Sequence, residues 1–131
     1  MNVQVGDVLP ERRHKPNNVQ LMLYNAALWN GHRIHFDEPY ARDVEGYPGL
    51  VIAGPLLGDW LNQLVELWVG DAGRLRKIEY SNRLAAYIGE TLTAGGEVTQ
   101  RTGNEVRVEV FIRNEQGEVV APGVAFVELH A

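Results

Sequence analysis

Two hydrophobic periods organise this chain. Leu57, Trp60, Leu61, Leu64, Val65 and Trp68 recur three and four residues apart, with Asp59, Asn62, Gln63 and Glu66 between them. That spacing predicts an amphipathic helix with a wide apolar face, opened by Pro55 in its first turn and ended near Gly70. Farther along, Val106, Val108, Val110 and Ile112 alternate with Arg107, Glu109, Phe111 and Arg113. This is the period of a half-buried strand. Asn114-Glu115-Gln116-Gly117 reads as a hairpin turn, and residues 118–130 return as a last strand, broken locally at Pro122-Gly123. Residues 74–81 and 91–100 are two further strand candidates, the second bent or bulged at Gly95-Gly96.

The first half is less regular. A short strand is expected near Val3 to Val5, followed by a charged, Pro-containing arm. Pro16-Asn17-Asn18 signals a helix start, with Asn17 or Asn18 as cap, and the helix runs from about Val19 to Trp29. Asn30-Gly31 should end it, with the glycine taking the left-handed position just past the last turn. Asp37 is placed to cap a short helical turn through Val44. A turn-rich loop, Glu45 to Gly49, then leads through apolar Leu50-Val51-Ile52-Ala53 to Gly54-Pro55.

The order is helix, loop, long helix, then three or four antiparallel strands. One sheet wrapped around one apolar helix buries both elements, so the expectation is an α+β fold forming one domain over residues 1–131. Strands that are partly apolar on both faces predict a sheet edge or outer surface that meets a second subunit.

Composition narrows the functional classes. Hydrophobic residues are 45% and charged residues 22%, which excludes disorder throughout the chain. Twelve Lys+Arg against 17 Asp+Glu give a net charge of −5 without a basic run. No nucleic-acid partner is expected, and no apolar run is long enough to span a membrane. The first sixteen residues lack the pattern of a secretory signal, so the expected location is the cytoplasm. Cysteine is absent, which removes a disulfide scaffold, a thiolate zinc site and a cysteine nucleophile.

The candidate chemistry lies in Asn30-Gly31-His32-Arg33-Ile34-His35-Phe36-Asp37. His32 and His35 can be read as metal ligands, as acid–base groups or as ordinary loop histidines, and Asn30-Gly31 as no more than a helix end. No third ligand stands at a usual spacing, so neither a metal nor another cofactor is expected. Histidine is the side chain that most readily takes and returns a proton near neutrality. The start of the long helix at Gly54-Pro55 offers free N–H groups and a positive dipole end, which suit an oxyanion formed on a carbonyl. Pro55 has no N–H, so the donors are Gly54 and residues beyond Pro55. A base on one loop and an oxyanion hole at a helix start make a site for proton chemistry beside a carbonyl.

The string from Trp29 to Ala41, followed by Glu45-Gly46-Tyr47-Pro48-Gly49-Leu50-Val51 and Gly54-Pro55-Leu56, resembles the MaoC-like hot-dog hydratases and dehydratases. It is most similar to the branch with mitochondrial-type 3-hydroxyacyl-thioester dehydratases and mesaconyl-CoA hydratases. The resemblance implies a hot-dog fold, a long helix wrapped by an antiparallel sheet, paired into dimers or double hot dogs. It implies reversible hydration of enoyl thioesters of CoA or acyl carrier protein. His35 falls on the family histidine, Asn30 on the family aspartate five residues earlier, and Gly54 on the glycine whose amide holds the thioester oxygen. Two positions depart from the pattern. Asn30 replaces the carboxylate, as it does in some members of the nearest branch, and Ala53 stands where that branch commonly has histidine.

Several further residues are candidates for the substrate. His32 is a second acid–base candidate and, with Arg33, a substrate contact. Leu21, Trp29, Leu50 and Leu57 are either acyl-tunnel lining or core. Arg33, Arg76, Lys77 and Arg83 are available to the phosphates of CoA. Two rival readings remain. One is a partner-dependent or non-catalytic subunit of a heteromeric hydratase. The other is a thioesterase using Asp59 or Glu66 on the long helix.

Overall fold

The computed structural model describes residues 1–131. It contains strand β1 (Arg12–His14), helix α1 (Asn18–Ala27), helix α2 (Glu38–Asp43), the long helix α3 (Gly54–Val69) and strands β2 (Gly73–Tyr80), β3 (Leu92–Thr102), β4 (Glu105–Arg113) and β5 (Val119–Leu129). The strands form one antiparallel sheet in the order β1-β3-β4-β5-β2. This is the α+β hot-dog arrangement. Along α3, Leu57, Trp60, Leu61, Leu64 and Val65 are buried, as their spacing requires, while Trp68 is half-buried and Val69 completes the face. The sheet answers with Val106, Val108, Val110 and Ile112 of β4 and with Val120, Ala125, Val127 and Leu129 of β5. No helix is long and apolar enough to cross a membrane.

Four local expectations are corrected. Val3 to Val5 form no strand; the arm instead pairs through an isolated Val8–Glu97 bridge and through β1 along β3. Gly95 and Gly96 stay in register opposite Phe111 and Val110, and the irregularity falls between Val98 and Gln100. Gly95 makes room for the Phe111 ring rather than for a bend. Strand β5 also runs unbroken through Pro122-Gly123. The Pro122 carbonyl accepts the Ser81 N–H at 3.1 Å, just past the end of β2, so the missing proline N–H would point where the neighbouring strand stops. A Cβ on Gly123 would lie 2.7 Å from the Glu79 carbonyl oxygen, so glycine there permits β2 to approach.

The fourth correction concerns the end of α1. Asn17 caps its start by accepting the Gln20 N–H. At the other end the Asn30 N–H donates to the Asn25 carbonyl (2.8 Å) and the Trp29 N–H to the Ala26 carbonyl (3.2 Å), a Schellman closure. The left-handed residue is therefore Trp29, with φ of 56°, and not Gly31. The residue is 95% exposed, which removes Trp29 from both the core and an acyl tunnel within this chain.

Candidate active site

The segment after α1 is shaped by short-range hydrogen bonds. Asn30 Oδ1 accepts the His32 N–H at 3.2 Å, and His32 Nδ1 accepts the Ile34 N–H at 3.3 Å. These contacts start a single 3-10 turn, Arg33–His35. Asp37 then caps α2 by accepting the Tyr40 N–H. The turn delivers His35 to the interior, where it is one of only two buried polar residues.

His35 is held by the apolar stretch that precedes α3. The Val51 N–H donates to the Ile34 carbonyl (2.9 Å), and the Val51 carbonyl lies 2.6 Å from His35 Nδ1. A carbonyl only accepts, so Nδ1 carries the proton and Nε2 keeps its lone pair. Burial holds the His35 imidazole below its usual pKa; the Val51 hydrogen bond opposes that shift and nearby His32 adds to it. At neutral pH His35 is therefore an uncharged base.

Gly54 lies on the same wall. The residue before it, Ala53, places no side-chain cap on α3, and Pro55 follows in the first turn. The Gly54 amide is thus at an uncapped helix start, where the dipole favours negative charge. His35 and Gly54 share a cavity of about 270 Å³ with Leu57, Asn82, Arg83 and Ala86. The segment bearing the last three hangs from both sides: Ile52 N–H donates to the Ala86 carbonyl (2.8 Å), and Arg83 N–H to the Val120 carbonyl of β5 (2.9 Å). Within this segment the sequence singles out only Arg83, as one of four cations available to CoA. Nothing local marks Asn82, Leu84, Ala85 or Ala86, and only the long-range pairing with residues 50–52 and β5 turns the segment into a wall.

The other candidates are placed as follows. Asn30 is half-buried but lines a different recess, beside Trp29 and Gly31, so the isolated chain does not bring it into the cavity of His35. The His32 ring is exposed and lies edge-on to His35, 6.0 Å between centroids. Arg33 is engaged locally, paired with Asp37 at 2.8 Å and stacked over Tyr40 at 4.1 Å. Leu57 lines the His35 cavity, whereas Leu50 lines a larger neighbouring cleft of about 700 Å³. The two spaces share Leu84 and Ala85. Leu21 is core. Asp59 accepts the Tyr24 hydroxyl (2.6 Å), and both Asp59 and Glu66 are exposed and outside the cavity. No carboxylate lines the cavity, so nothing in it matches the thioesterase chemistry.

Comparisons with known proteins agree with this architecture. Residues 4–88 match the family model described as hydroxyacyl-thioester dehydratase type 2. Mesaconyl-C(4)-CoA hydratase of Chloroflexus aurantiacus is 49% identical over 49 residues, which are 37% of this chain and 18% of that protein. The chain thus matches less than a fifth of that relative's length. Among solved structures, one chain of the ChsH1-ChsH2 complex from Mycobacterium tuberculosis superposes with a TM-score of 0.87 at 22% identity, over 99% of this chain and 100% of that one. The (R)-hydratase of A. caviae involved in PHA biosynthesis gives 0.89 at 19% identity, over 98% of both chains. These two establish the fold, and the family match over most of the chain establishes more. This chain belongs to the hydroxyacyl-thioester dehydratase type 2 family.

Proposed function

We propose that the chain hydrates and dehydrates acyl thioesters, adding water across the double bond of a trans-2-enoyl-CoA or enoyl-carrier-protein and reversing that step, in the cytoplasm. The observation that carries this reading is His35, its Nδ1 tied to Val51, sharing a largely apolar cavity with the uncapped start of α3 at Gly54. The family match and the hydratase names among its relatives support it.

The step balances within these groups. Water oxygen bonds to C3 of the enoyl group as His35 Nε2 takes the water proton. The C2=C3 π pair shifts toward the thioester oxygen, where the Gly54 N–H donates to the developing charge. The His35 imidazolium then returns its proton to C2, which restores the neutral ring and gives the 3-hydroxyacyl thioester. General base catalysis contributes roughly 10²–10⁴-fold, and one preorganised donor about 10²–10³-fold. A cavity of about 270 Å³ is at the lower edge of small-molecule sites. It suits a short acyl group and its thioester, with the nucleotide portion of CoA outside. Asn30 orients the water if assembly closes its recess onto that of His35. Purified chain should hydrate crotonyl-CoA, and His35→Ala should abolish the reaction. Equal rates for the two would remove His35 from the mechanism.

A second reading is favoured by two observations: Asn30 lies outside the His35 cavity, and Trp29 is nearly fully exposed beside it. Both fit a chain that completes its site against another hot-dog subunit, identical or different, as the solved ChsH1-ChsH2 complex pairs two chains. Activity of the chain alone as a homodimer supports the first reading. Silence relieved by co-expression with an adjacent hot-dog subunit supports the second.

A further inference from the structure

Gly54 is a glycine because of the residue that lies against it in the cavity wall. A Cβ built there would overlap the side-chain amide of Asn82, reaching its Nδ2 and coming within 2.9 Å of its Cγ. The Asn82 amide therefore rests against the first residue of α3, and both line the cavity that holds His35. Its backbone is fixed on either side. The Ser81 N–H donates to the Pro122 carbonyl (3.1 Å), and the Arg83 N–H donates to the Val120 carbonyl (2.9 Å). The side chain is open to solvent, yet its mounting is the central sheet.

We propose that Asn82 is a catalytic residue: its Nδ2 donates a second hydrogen bond to the thioester oxygen, beside the Gly54 N–H. The inference rests on the hydratase reading above. The chemistry asks for it, because Pro55 removes the next N–H of the helix and the Leu56 N–H is turned back onto the Ala53 carbonyl (3.0 Å). Gly54 is thus the one backbone donor left in the first three residues of α3, while an enolate oxygen accepts two. A neutral amide supplies the missing donor without adding a second cation to the one Arg83 brings to the wall of the His35 cavity, where further positive charge would disfavour proton acceptance. The two donors are also coupled sterically. Any side chain at residue 54 displaces Asn82, so glycine there preserves both.

The test compares wild type, Asn82→Ala and Asn82→Asp in crotonyl-CoA hydration. It adds the infrared carbonyl band of bound butyryl-CoA labelled with ¹³C at the thioester carbon. Asn82→Ala should lower kcat by about 10²-fold with KM changed only a few-fold, and move the bound carbonyl band toward its position in free solution. Asn82→Asp should fall further, because a carboxylate opposes the enolate. An unchanged kcat in Asn82→Ala overturns the proposal. So does a lowered kcat with the carbonyl band left where wild type has it, since that places Asn82 in folding only. A wild-type chain inert toward enoyl thioesters, alone and with a partner subunit, overturns the hydratase reading and this assignment with it. Active wild type and equally active Asn82→Ala overturns this assignment alone.

Discussion

His35 Nδ1 and the Val51 carbonyl oxygen are 2.6 Å apart, across sixteen residues of sequence. The contact sets the tautomer, and burial sets the charge state. Because burial disfavours the imidazolium, the pKa of His35 lies below the ordinary value of about 6.5. A base works only when deprotonated, so kcat/KM should rise with pH through that lowered pKa and level off at a lower pH than an ordinary imidazole would set. His35→Gln keeps a polar group near Val51 but cannot accept the proton, and should lose about 10²–10⁴-fold with the acidic limb gone. A pH–rate profile of both proteins is the check. An acidic limb that persists in His35→Gln assigns it to another group.

Arg83 is the cation most available to a CoA phosphate. Arg33 is paired with Asp37, Arg76 with Glu128 and Lys77 with Glu79. Arg83 takes part in none of the chain's five ion pairs and sits on the cavity wall. Arg83→Gln should raise KM for crotonyl-CoA about tenfold, the size of one hydrogen bond to a charged group. It should leave KM for crotonyl-pantetheine, which lacks the nucleotide phosphates, unchanged. Equal effects on both substrates would place Arg83 in the wall and not at a phosphate.

The elements legible in the sequence are those whose signal is local. Six apolar residues on one helical face specify α3, four alternating residues specify β4, and Asp37 followed by Pro39 specifies α2. His35 and Gly54 were reachable from motif and spacing, and they share a cavity. What was hidden depends on partners distant in sequence. β1 is Arg-Arg-His, with no alternation of its own, and is a strand because β3 offers an edge. Pro122-Gly123 looks like a break and is a close approach, visible only once β2 lies alongside. Asn82 is one polar residue after a strand, and its place beside Gly54 exists only after the chain crosses back past residues 50–52. Asn30 shows the opposite limit: spacing placed it with His35, and the isolated fold separates their recesses.

Trp29 carries a backbone cost that glycine would remove. A side chain in the left-handed region is disfavoured by about 1–2 kcal/mol, and the exposed indole recovers little of it within this chain. Trp29→Gly should stabilise the isolated chain by about 1 kcal/mol, raising Tm by about 3–5 °C. Trp29→Ala keeps a Cβ in the same conformation and should give no such gain. If Trp29 is covered by a neighbouring subunit, the glycine variant should also assemble more weakly. Calorimetry together with sedimentation separates the two effects. A Tm for Trp29→Gly no higher than that of Trp29→Ala would remove the backbone explanation.

His14 ties stability to pH at the edge of the sheet. Its ring stacks on Trp60 of α3, 4.3 Å between centroids and 8° from parallel, and its Nε2 is buried without a partner. Burial, then the charge of Arg12, lowers its pKa in the folded chain. The unfolded chain therefore binds the His14 proton first as pH falls below about 6.5, and folding loses stability until the folded pKa is passed. Above that window both states are neutral and the contribution is constant. His35 shifts in the same direction and adds to the slope. His14→Phe keeps an aromatic ring against Trp60 and has no proton to bind. Urea midpoints at pH 7.5 and 5.5 should therefore differ less in His14→Phe than in wild type, the remainder belonging to His35 and other titrating groups. An identical difference in the two proteins would mean that His14 does not titrate differently on folding, and that water reaches its Nε2.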